Sequence, residues 1–545
     1  MNDYDIILIA QSDVVEYDTY SEFPVDRLEL FETMVYPRMV RYKDKFRSHL
    51  DILNDAKHGK FYSDAGYADR RDLLNIWNLP SASGVHLANF LLTFGIRVRI
   101  INNIDSEWDL FEEAYTNNKT PPLIGISSTF YLSWTQIKPI AKRLRSLDPD
   151  MQIVLGGAFT NAASTHDGNP AFEKMMRRMG IRYVLHAFNS EEDLRDLILA
   201  LKSGGDIDTV KNLCYLDGSG ENAKFYVTET GWNQPVLAEA PAHYDKLEMP
   251  FLNRTIQIRT ASGCPFSCSF CSYPVTAGGW KTLEAERVRA HLDSISRIGG
   301  IDKIIFIDDT FNVPKERFKS LLRVFSEYDF EWFSFLRVQF ADEEIVSMMK
   351  DSGCKGVYLG IESANDTVLQ NMNKRATRDE FCRGLERLNR HGILSLAAFV
   401  IGFPGETEKT IRDNIEFIEN YGVDYYSLKE FFYIPGTKIH TERDQFGLTG
   451  NGAKWQHNTM DSDEASKIKI DMFRTIKNST HIDPDTSLWY FAYLYDQGYD
   501  IPKINKAQKQ INEIMTQQLG GNFSDNLPSY DRLREIIRGR EIIPA

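Results

Sequence analysis

Short apolar runs alternate with amphipathic helical patterns through the first 200 residues. Runs with the length and branching of buried strands lie at 5–10, 97–101, 123–127, 152–155 and 182–185. Helical patterns lie between the later runs, at 85–92, 134–147 and 171–179. Strands that alternate with helices in this way predict an α/β fold with a doubly wound, Rossmann-like parallel sheet. Ligands of such sheets bind at the carboxyl ends of the strands.

The same alternation returns after residue 280. The helical patterns of this second stretch lie at 283–298, 315–328, 342–352, 377–391 and 408–421. Its apolar strands lie at 303–307, 332–337, 356–362, 394–401 and 425–432. These strands are too few for a complete eight-unit barrel, but a site at their carboxyl ends is expected, as in a full barrel.

The pattern divides the chain into four regions. They are a sheet domain at 1–203, a connector at 204–250, a second α/β domain at 251–445 and a mainly helical C-terminal region at 446–545. The aromatic run at 488–495 predicts a buried helix, and its alternative role is to wall a substrate cavity.

Two segments depart from the regular rhythm. Residues 11–83 exceed an ordinary strand-to-helix connection, and long connections of this kind usually carry elements of their own. Patterns at 27–46 and 67–77 predict a helical insertion that lies over the carboxyl edge of the first sheet. Within the connector, residues 213–227 predict a small hairpin.

Composition narrows the class of protein. The chain has 545 residues, with 42% hydrophobic and 26% charged positions, which is ordinary for globular domains. No apolar run approaches the roughly 18 residues that a membrane span needs, and the first residues lack a basic segment, so we expect a cytoplasmic protein without a membrane partner. A formal net charge of -14 without a basic block argues against nucleic-acid binding. Small molecules and peptides remain open as substrates.

Three cysteines are the candidate chemistry of the second α/β domain. Cys264, Cys268 and Cys271 follow a Cys-x3-Cys-x2-Cys spacing, and thiolates select iron-sulfur clusters or zinc. A 4Fe-4S cluster usually takes four cysteines, so three leave one iron open. A zinc knuckle or three structural thiols is the other interpretation, but zinc sites pair two short ligand elements and no second one is present. The remaining cysteines are scattered singly and are expected to be small buried hydrophobes.

The cysteine run, with Phe270 just before its last cysteine, resembles the signature of radical S-adenosylmethionine (SAM) enzymes. In that superfamily the fold is a partial (β/α)6 barrel, and SAM chelates the open iron. The resemblance implies SAM contacts at strand ends that carry the strings Asp-Asp-Thr-Phe, Gly-Ile-Glu-Ser and Gly-Phe-Pro-Gly-Glu. The implied contact residues are Phe270 at the adenine, Asp308, Asp309, Arg337, Glu362, Ser363, Gly402 and Pro404. For Arg337, a salt bridge to Asp308 or Asp309 is the alternative to the SAM carboxylate.

The first domain resembles the cobalamin-binding domain attached to many radical SAM enzymes. The match lies in the strand ends 124–129 and 153–160, where glycine permits close backbone approach and hydroxyls supply hydrogen bonds. The implied contact residues are Ser127, Ser128, Thr129, Gly156, Gly157, Phe159 and Thr160. The loop after the first strand lacks the histidine that ligates cobalt in methionine synthase, and His186 is not assigned to cobalt. Any other Rossmann-like domain is the alternative.

Over residues 1–440 the arrangement resembles cobalamin-dependent radical SAM enzymes, mainly methyltransferases. The resemblance implies methylation of an unactivated carbon of a small-molecule or peptide natural product, through methylcobalamin and a 5'-deoxyadenosyl radical. It also implies a 4Fe-4S cluster, SAM, cobalamin and an electron donor such as flavodoxin or ferredoxin. Rearrangement, cyclisation or oxidation without methyl transfer is one alternative, and a non-catalytic cobalamin-binding or sensory protein is another. Cysteine is absent after residue 445 and before Cys214, which disfavours auxiliary clusters and methylthiotransferases.

Overall fold

The computed structural model describes residues 3–13, 38–43, 45–131, 133–166, 169–218, 222–237, 243–249, 253–482 and 487–539. The strands are β1 (Ile6–Gln11), β2 (Met39–Tyr42), β3 (Lys45–Ser48), β4 (Val98–Asn103), β5 (Leu123–Ser127), β6 (Ile153–Gly156), β7 (Tyr183–Leu185), β8 (Leu213–Asp217), β9 (Lys224–Val227), β10 (Thr255–Ile258), β11 (Ala261–Ser262), β12 (Lys281–Thr282), β13 (Lys303–Phe306), β14 (Glu331–Leu336), β15 (Cys354–Glu362), β16 (Leu394–Ile401), β17 (Tyr425–Glu430), β18 (Thr449–Asn451), β19 (Lys454–His457), β20 (Met460–Asp461) and β21 (Thr480–His481).

The α-helices are His49–His58, Ala82–Leu92, Trp108–Thr116, Trp134–Leu147, Ala158–His166, Asn169–Met179, Glu191–Ser203, Tyr273–Thr276, Ala285–Ser296, Lys315–Phe325, Glu343–Asp351, Asp366–Asn371, Arg378–Arg390, Glu408–Asn420, Lys438–Thr441, Arg443–Phe446, Ser462–Thr475, Ser487–Asp496, Ile501–Leu519 and Pro528–Arg538. Short 3-10 helices lie at Tyr67–Asp72, Ile76–Asn78, Ile207–Thr209, Tyr244–Lys246 and Val338–Phe340. None of the helices in the described ranges is long and apolar enough to span a bilayer.

The chain forms two compact units, and neither is continuous in sequence. The first comprises Met1–Val15, Trp77–Ser262 and Thr276–Ile301, and the second comprises Glu16–Ile76, Gly263–Val275 and Asp302–Ala545. The domain boundaries drawn from the sequence stay predictions. Most of the predicted insertion is grouped with the second unit.

The first unit contains the predicted doubly wound sheet. Its strand order is β4-β1-β5-β6-β7-β8-β9. The strands from β4 to β7 run parallel, whereas β8 and β9 are antiparallel and form the hairpin that the sequence predicts. All six residues of β1 are buried, as expected for a central strand with helices on both faces. The parallel strands follow the flavodoxin-like order, whose switch point lies between β1 and β5.

The second unit contains the predicted partial barrel. Six of its strands pair in the order β13-β14-β15-β16-β17-β21, all parallel. Alternate residues of β14 face opposite sides of this sheet. Trp332 packs against the rings of Phe306 and Phe325 on one side, whereas Phe333 packs against Phe491 on the other.

The aromatic run 488–495 is helical, as predicted, and lies within Ser487–Asp496. Leu488 and Phe491 are fully buried, which agrees with a role in the core. The alternative, a wall for substrate, stays open for Trp489, which is half-buried and contacts the half-buried Phe335 with ring centroids 5.6 Å apart. The C-terminal region is mainly helical, with the addition of a small antiparallel sheet of β18, β19 and β20.

The prediction of a helix at 27–46 is wrong for those of its residues that the structure describes. Residues 27–37 lie outside the described residues, and β2 and β3 form an antiparallel hairpin instead of a helix. The hairpin buries Tyr42 and Phe46, and the Tyr42 ring stacks on Tyr530 at 4.2 Å. This contact joins residues that are distant in sequence, so the local hydrophobic pattern could not predict it. The second pattern, 67–77, forms 3-10 turns rather than an α-helix.

Three helices of the first unit were not predicted, and one of them is Glu191–Ser203, which follows β7. Trp108–Thr116 follows β4, and Ala158–His166 begins directly after the glycine pair that ends β6. Phe159 and Thr160 therefore lie in the first turn of a helix, not on an extended strand end. The remaining predicted strands and helices of the two α/β domains are present.

Candidate active site

The cysteine loop belongs to the second unit, and neighbouring loops hold its backbone at several points. The amide of Ser269 donates to the carbonyl of Met372 at 2.8 Å, and the carbonyl of Ser269 accepts from the amide of Ile439 at 2.8 Å. The side chain of Asn373 donates to the carbonyl of Ser267 at 2.7 Å. Between these anchors all three thiols are only partly buried. The loop therefore presents Cys264, Cys268 and Cys271 from a fixed backbone.

Each cysteine of the run has a distinct environment. The sulfur of Cys264 lies 3.2 Å from the hydroxyl of Thr310, in the loop that follows β13. The guanidinium of Arg337 donates to the sulfur of Cys268 at 3.2 Å. Burial raises the pKa of the Cys271 thiol to about 11. Bound iron would have to supply the positive charge that stabilises the thiolate of Cys271.

Arg337 is buried at the end of β14 and directed at the cysteine loop. Its guanidinium lies over the ring of Phe266, 3.7 Å from the centroid, and donates to the carbonyl of Lys374 at 3.4 Å. Asn312 fixes its backbone by accepting from the Arg337 amide at 3.1 Å and donating to its carbonyl at 2.9 Å. The contact between Arg337 and the SAM carboxylate stays a prediction. The sequence did not indicate that Arg337 would contact Cys268.

Glu362 forms a buried ion pair with a residue that sequence reasoning missed. The ammonium of Lys374 lies 2.8 Å from a carboxylate oxygen of Glu362, with the two side chains 6% and 13% exposed. Glu362 has a φ of 65°, in the left-handed region that is costly for a residue with a side chain. A Cβ atom on Gly360 would lie 2.6 Å from the Glu362 carboxylate, so a larger residue there would displace this side chain. Lys374 gives no signal in the sequence, because it lies among polar residues after a short helix.

Ser363 and the loop after β16 are held by internal hydrogen bonds. Ser363 is fully buried, and its hydroxyl donates to the side-chain oxygen of Asn414 at 3.3 Å. The amide of Gly402 donates to the carboxylate of Glu406 at 2.6 Å, and burial raises the pKa of Glu406 to about 8. The carbonyl of Pro404 accepts from Asn371 at 3.1 Å. These residues shape the strand ends, and their direct contacts with SAM stay predictions.

Two further predicted contact sites differ in exposure. Phe270 is half-buried, and its ring meets Phe403 edge to face with centroids 6.2 Å apart, so the structure brings the residue before the last cysteine to the loop after β16. After β13, Asp308 is buried and Asp309 is exposed. The two aspartates therefore differ in exposure, although both were predicted from the sequence to contact SAM.

The cobalamin candidates lie at the carboxyl ends of β5 and β6 in the first unit. Ser128 and Thr160 are fully buried. The Ser128 amide donates to the Gly156 carbonyl at 2.7 Å, and the Thr160 hydroxyl donates to the carbonyls of Gly157 and Leu185, each at 2.8 Å. These two hydroxyl residues therefore join neighbouring loops.

The other cobalamin candidates stay partly exposed at the same edge, namely Ser127, Thr129, Gly156, Gly157 and Phe159. The hydroxyls of Ser127 and Thr129 lie 3.0 Å apart. Gly157 has a φ of 122°, and a Cβ atom there would lie 3.0 Å from the Ser128 amide nitrogen. Only glycine can therefore keep this turn, with its backbone open at the edge.

Polar residues at the switch point of the first sheet were not predicted. The hydroxyls of Ser12 and Tyr131 lie 2.7 Å apart and join the ends of β1 and β5. Asn103, at the end of β4, donates to the carboxylate of Asp13 at 2.8 Å. The strand order alone marks this crevice, because ligands of open α/β sheets bind where the order reverses.

Comparisons with known proteins assign the cysteine loop to a superfamily. The family model described as the radical SAM superfamily matches residues 258–418, which include all three cysteines and the strands up to β16. Residues 258–418 form a radical SAM domain. The superfamily predicted from the cysteine spacing is confirmed, and the radical SAM domain covers most strands of the second sheet.

Longer matches extend beyond the radical SAM domain. An uncharacterised methyltransferase of Pyrococcus horikoshii is 28% identical over 367 residues, 63% of this chain and 74% of that protein. The anaerobic magnesium-protoporphyrin IX monomethyl ester cyclase of Rubrivivax gelatinosus is 24% identical over 369 residues, 64% of this chain and 63% of its own. The radical SAM methyltransferase TsrM from Kitasatospora setae, solved with cobalamin and a [4Fe-4S] cluster, superposes with a TM-score of 0.55 at 17% identity, over 98% and 99% of the two chains. The predicted architecture, a Rossmann-like sheet with a partial barrel, is therefore confirmed.

Proposed function

We propose that this radical SAM enzyme methylates an unactivated carbon of a small-molecule or peptide substrate. It would use a [4Fe-4S] cluster, SAM and cobalamin. The observation that carries the proposal is a loop of three partly exposed cysteines at the head of a radical SAM barrel, in a chain that also contains a flavodoxin-like sheet. Similar proteins with this architecture are named methyltransferases, which favours methyl transfer.

The thiols fit a cluster better than a single ion. A zinc knuckle needs four ligands around one ion, whereas a cubane cluster binds its thiolates through different irons. Cys264, Cys268 and Cys271 would hold three irons, and the cluster would supply the electron that cleaves SAM. The half-buried Phe270 would place its ring beside the adenine of SAM.

The first sheet offers a polar edge that suits the nucleotide tail of cobalamin. Ser127 and Thr129 present hydroxyls, while Gly156 and Gly157 leave the backbone bare for close approach. Buried Ser128 and Thr160 would act indirectly, by fixing these loops. A histidine ligand to cobalt is not part of the proposal.

An electron donor such as flavodoxin or ferredoxin would reduce the cluster, and the cytoplasm is the proposed location. All six cysteines are free thiols, which suits a reducing compartment. The acidic chain, with a formal net charge of -14, favours small molecules or peptides over nucleic acid as substrates.

An anaerobic assay with the reconstituted enzyme, labelled SAM and candidate substrates tests the proposal. Methylation predicts labelled product together with S-adenosylhomocysteine and 5'-deoxyadenosine. Formation of 5'-deoxyadenosine alone, with a converted but unmethylated substrate, would contradict methyl transfer. That outcome would support the second candidate, a rearrangement, cyclisation or oxidation, which the similarity to a named cyclase favours. Once a substrate is known, formation of neither product would contradict both enzymatic proposals and favour a non-catalytic cobalamin-binding or sensory protein.

Arg337 gives a prediction about the cluster itself. A cation that donates to the Cys268 sulfur at 3.2 Å stabilises the more negative, reduced cluster. Arg337→Gln should therefore lower the midpoint potential by about 60 mV, a tenfold change in a one-electron equilibrium. Arg337→Lys, which keeps the charge, should shift it less.

Redox titration followed by electron paramagnetic resonance measures this potential. Arg387→Gln is the control, because Arg387 belongs to the same unit and donates to the Ala341 carbonyl rather than to a sulfur. An unchanged potential in Arg337→Gln would show that the contact is lost once the cluster is bound.

A further inference from the structure

The first unit contains a cavity at the end of the sheet opposite to the cobalamin candidates. It has a volume of about 750 Å³, which lies in the range of small-molecule sites. Gln152, just before β6, and Arg182, just before β7, line it, so it lies at the amino ends of these strands. Gly156 and Gly157, by contrast, lie at the carboxyl end of β6.

Four arginines line this cavity: Arg145, Arg177, Arg178 and Arg182. Among the described lining residues, Asp150 is the one with an acidic side chain. Arg177 is paired with Glu173 at 2.7 Å, whereas the other three arginines form no ion pair within the described ranges. The cavity therefore concentrates positive charge in a protein whose net charge is -14.

Two of these arginines have buried nitrogens that lack an acceptor. In the part of the chain that the structure describes, the Nε atoms of Arg145 and Arg182 are inaccessible and donate to no protein atom. Burial also lowers the pKa of Arg145. Leaving a buried donor of a charged group unsatisfied is costly, and an anion in the cavity would offset this cost through its charge.

The position of Arg145 is set by its surroundings. One guanidinium nitrogen donates to the Pro149 carbonyl at 2.5 Å. A Cβ atom on Gly180 would lie 2.5 Å from the Arg145 Nε, so the guanidinium packs directly against this glycine and a larger residue would displace it. The side chain is thus held in one place, which reduces the entropy that a ligand contact would cost.

The helix dipole accounts for the positions of three of the four arginines, but it does not explain why all four line one cavity. Arg145 lies in the last turn of Trp134–Leu147, and Arg177 and Arg178 lie in the last turn of Asn169–Met179, where the helix dipole favours cations. Arg182, however, belongs to no helix. Placing it at the same cavity requires another reason, because four like charges repel one another.

We propose that this cavity binds a small organic anion that carries a phosphate or carboxylate group. Guanidinium groups bind both anions in a bidentate manner. Met176, Ile181 and Leu216 line the cavity as well, so the ligand would also have an apolar part. The site is separate from the proposed cobalamin edge and does not depend on the proposed function.

Isothermal titration calorimetry on the full-length chain tests the site, with pyrophosphate, AMP and citrate as probes. We expect at least one probe to bind with one site per chain, and the comparison separates phosphate from carboxylate ligands. Arg145→Gln and Arg182→Gln should each weaken that binding about tenfold or more. Asp150→Asn removes the acidic lining residue and should tighten it. Prior addition of hydroxocobalamin should leave it unchanged, because the two sites lie at opposite ends of the strands.

Lys142→Gln is the matched control, since Lys142 is exposed on the same helix as Arg145 and does not line the cavity. It should bind the probes as the unaltered chain does. If Arg145→Gln fails to fold, Arg178→Gln replaces it, because Arg178 is exposed and should still weaken binding. The proposal is overturned if no probe binds, if the arginine variants bind as tightly as the unaltered chain, if Lys142→Gln weakens binding equally, or if cobalamin competes.

Discussion

Cys264→Ala, Cys268→Ala and Cys271→Ala will each abolish the formation of 5'-deoxyadenosine from SAM. Each substitution removes one thiolate from a set of three, and the described ranges offer no neighbouring cysteine to replace it, because Cys214, Cys354 and Cys382 lie in other elements. Loss of the proposed cluster would remove the source of the electron that cleaves SAM. Iron content, the visible absorption of the cluster and chromatography of the nucleoside products under dithionite measure the effect.

Cys382→Ala is the control for this experiment. Cys382 is a half-buried thiol on the helix Arg378–Arg390, outside the cysteine loop, and its substitution should leave iron content and deoxyadenosine formation intact. Cobalamin binding, followed by gel filtration and absorption, should survive in all four variants, because the proposed cobalamin residues belong to the first unit. Retained deoxyadenosine formation in any loop variant would exclude that cysteine as a ligand.

The sequence predicted those parts of the fold whose signals are local. The helix expected at 377–391 is observed at Arg378–Arg390. The residues at its first turn specify where it begins. Thr377 accepts from the Glu380 amide at 3.4 Å, and the Glu380 carboxylate accepts from the Thr377 amide at 2.9 Å, which closes a capping box. The cysteine spacing is equally local, and it indicated the superfamily before any geometry was known.

Long-range contacts account for what the sequence did not predict. The apolar positions of β2 and β3 suit a helix as well as a strand, and the hairpin is decided by packing, in which Tyr42 stacks on Tyr530. The arginine cavity brings together the ends of two helices and a residue that precedes a strand, so no short segment carries its signature. The same is true of Lys374, whose role depends on an irregularity in β15 between Gly360 and Glu362.

Lys374→Met will destabilise the second unit by about 3–5 kcal/mol, because it leaves the buried carboxylate of Glu362 without its cation. The pair is 2.8 Å long with both side chains largely shielded from water, so solvent cannot replace the lost ammonium group. Glu362→Gln should cost less, since an amide oxygen still accepts from Lys374. Urea unfolding followed by tryptophan fluorescence and far-ultraviolet circular dichroism measures both changes.

Lys355→Met is the matched control. Lys355 and Glu331 form an ion pair of the same 2.8 Å length, but their side chains are 33% and 31% exposed. Water screens such a pair, so we expect a loss of only about 0.2–1 kcal/mol. The double variant Lys374→Met with Glu362→Gln should recover part of the lost stability, because it removes the unpaired charge along with its partner. Equal losses in Lys374→Met and Lys355→Met would show that burial of the first pair does not strengthen it. In that case, the left-handed conformation of Glu362 would have to be stabilised by the backbone of β15 alone.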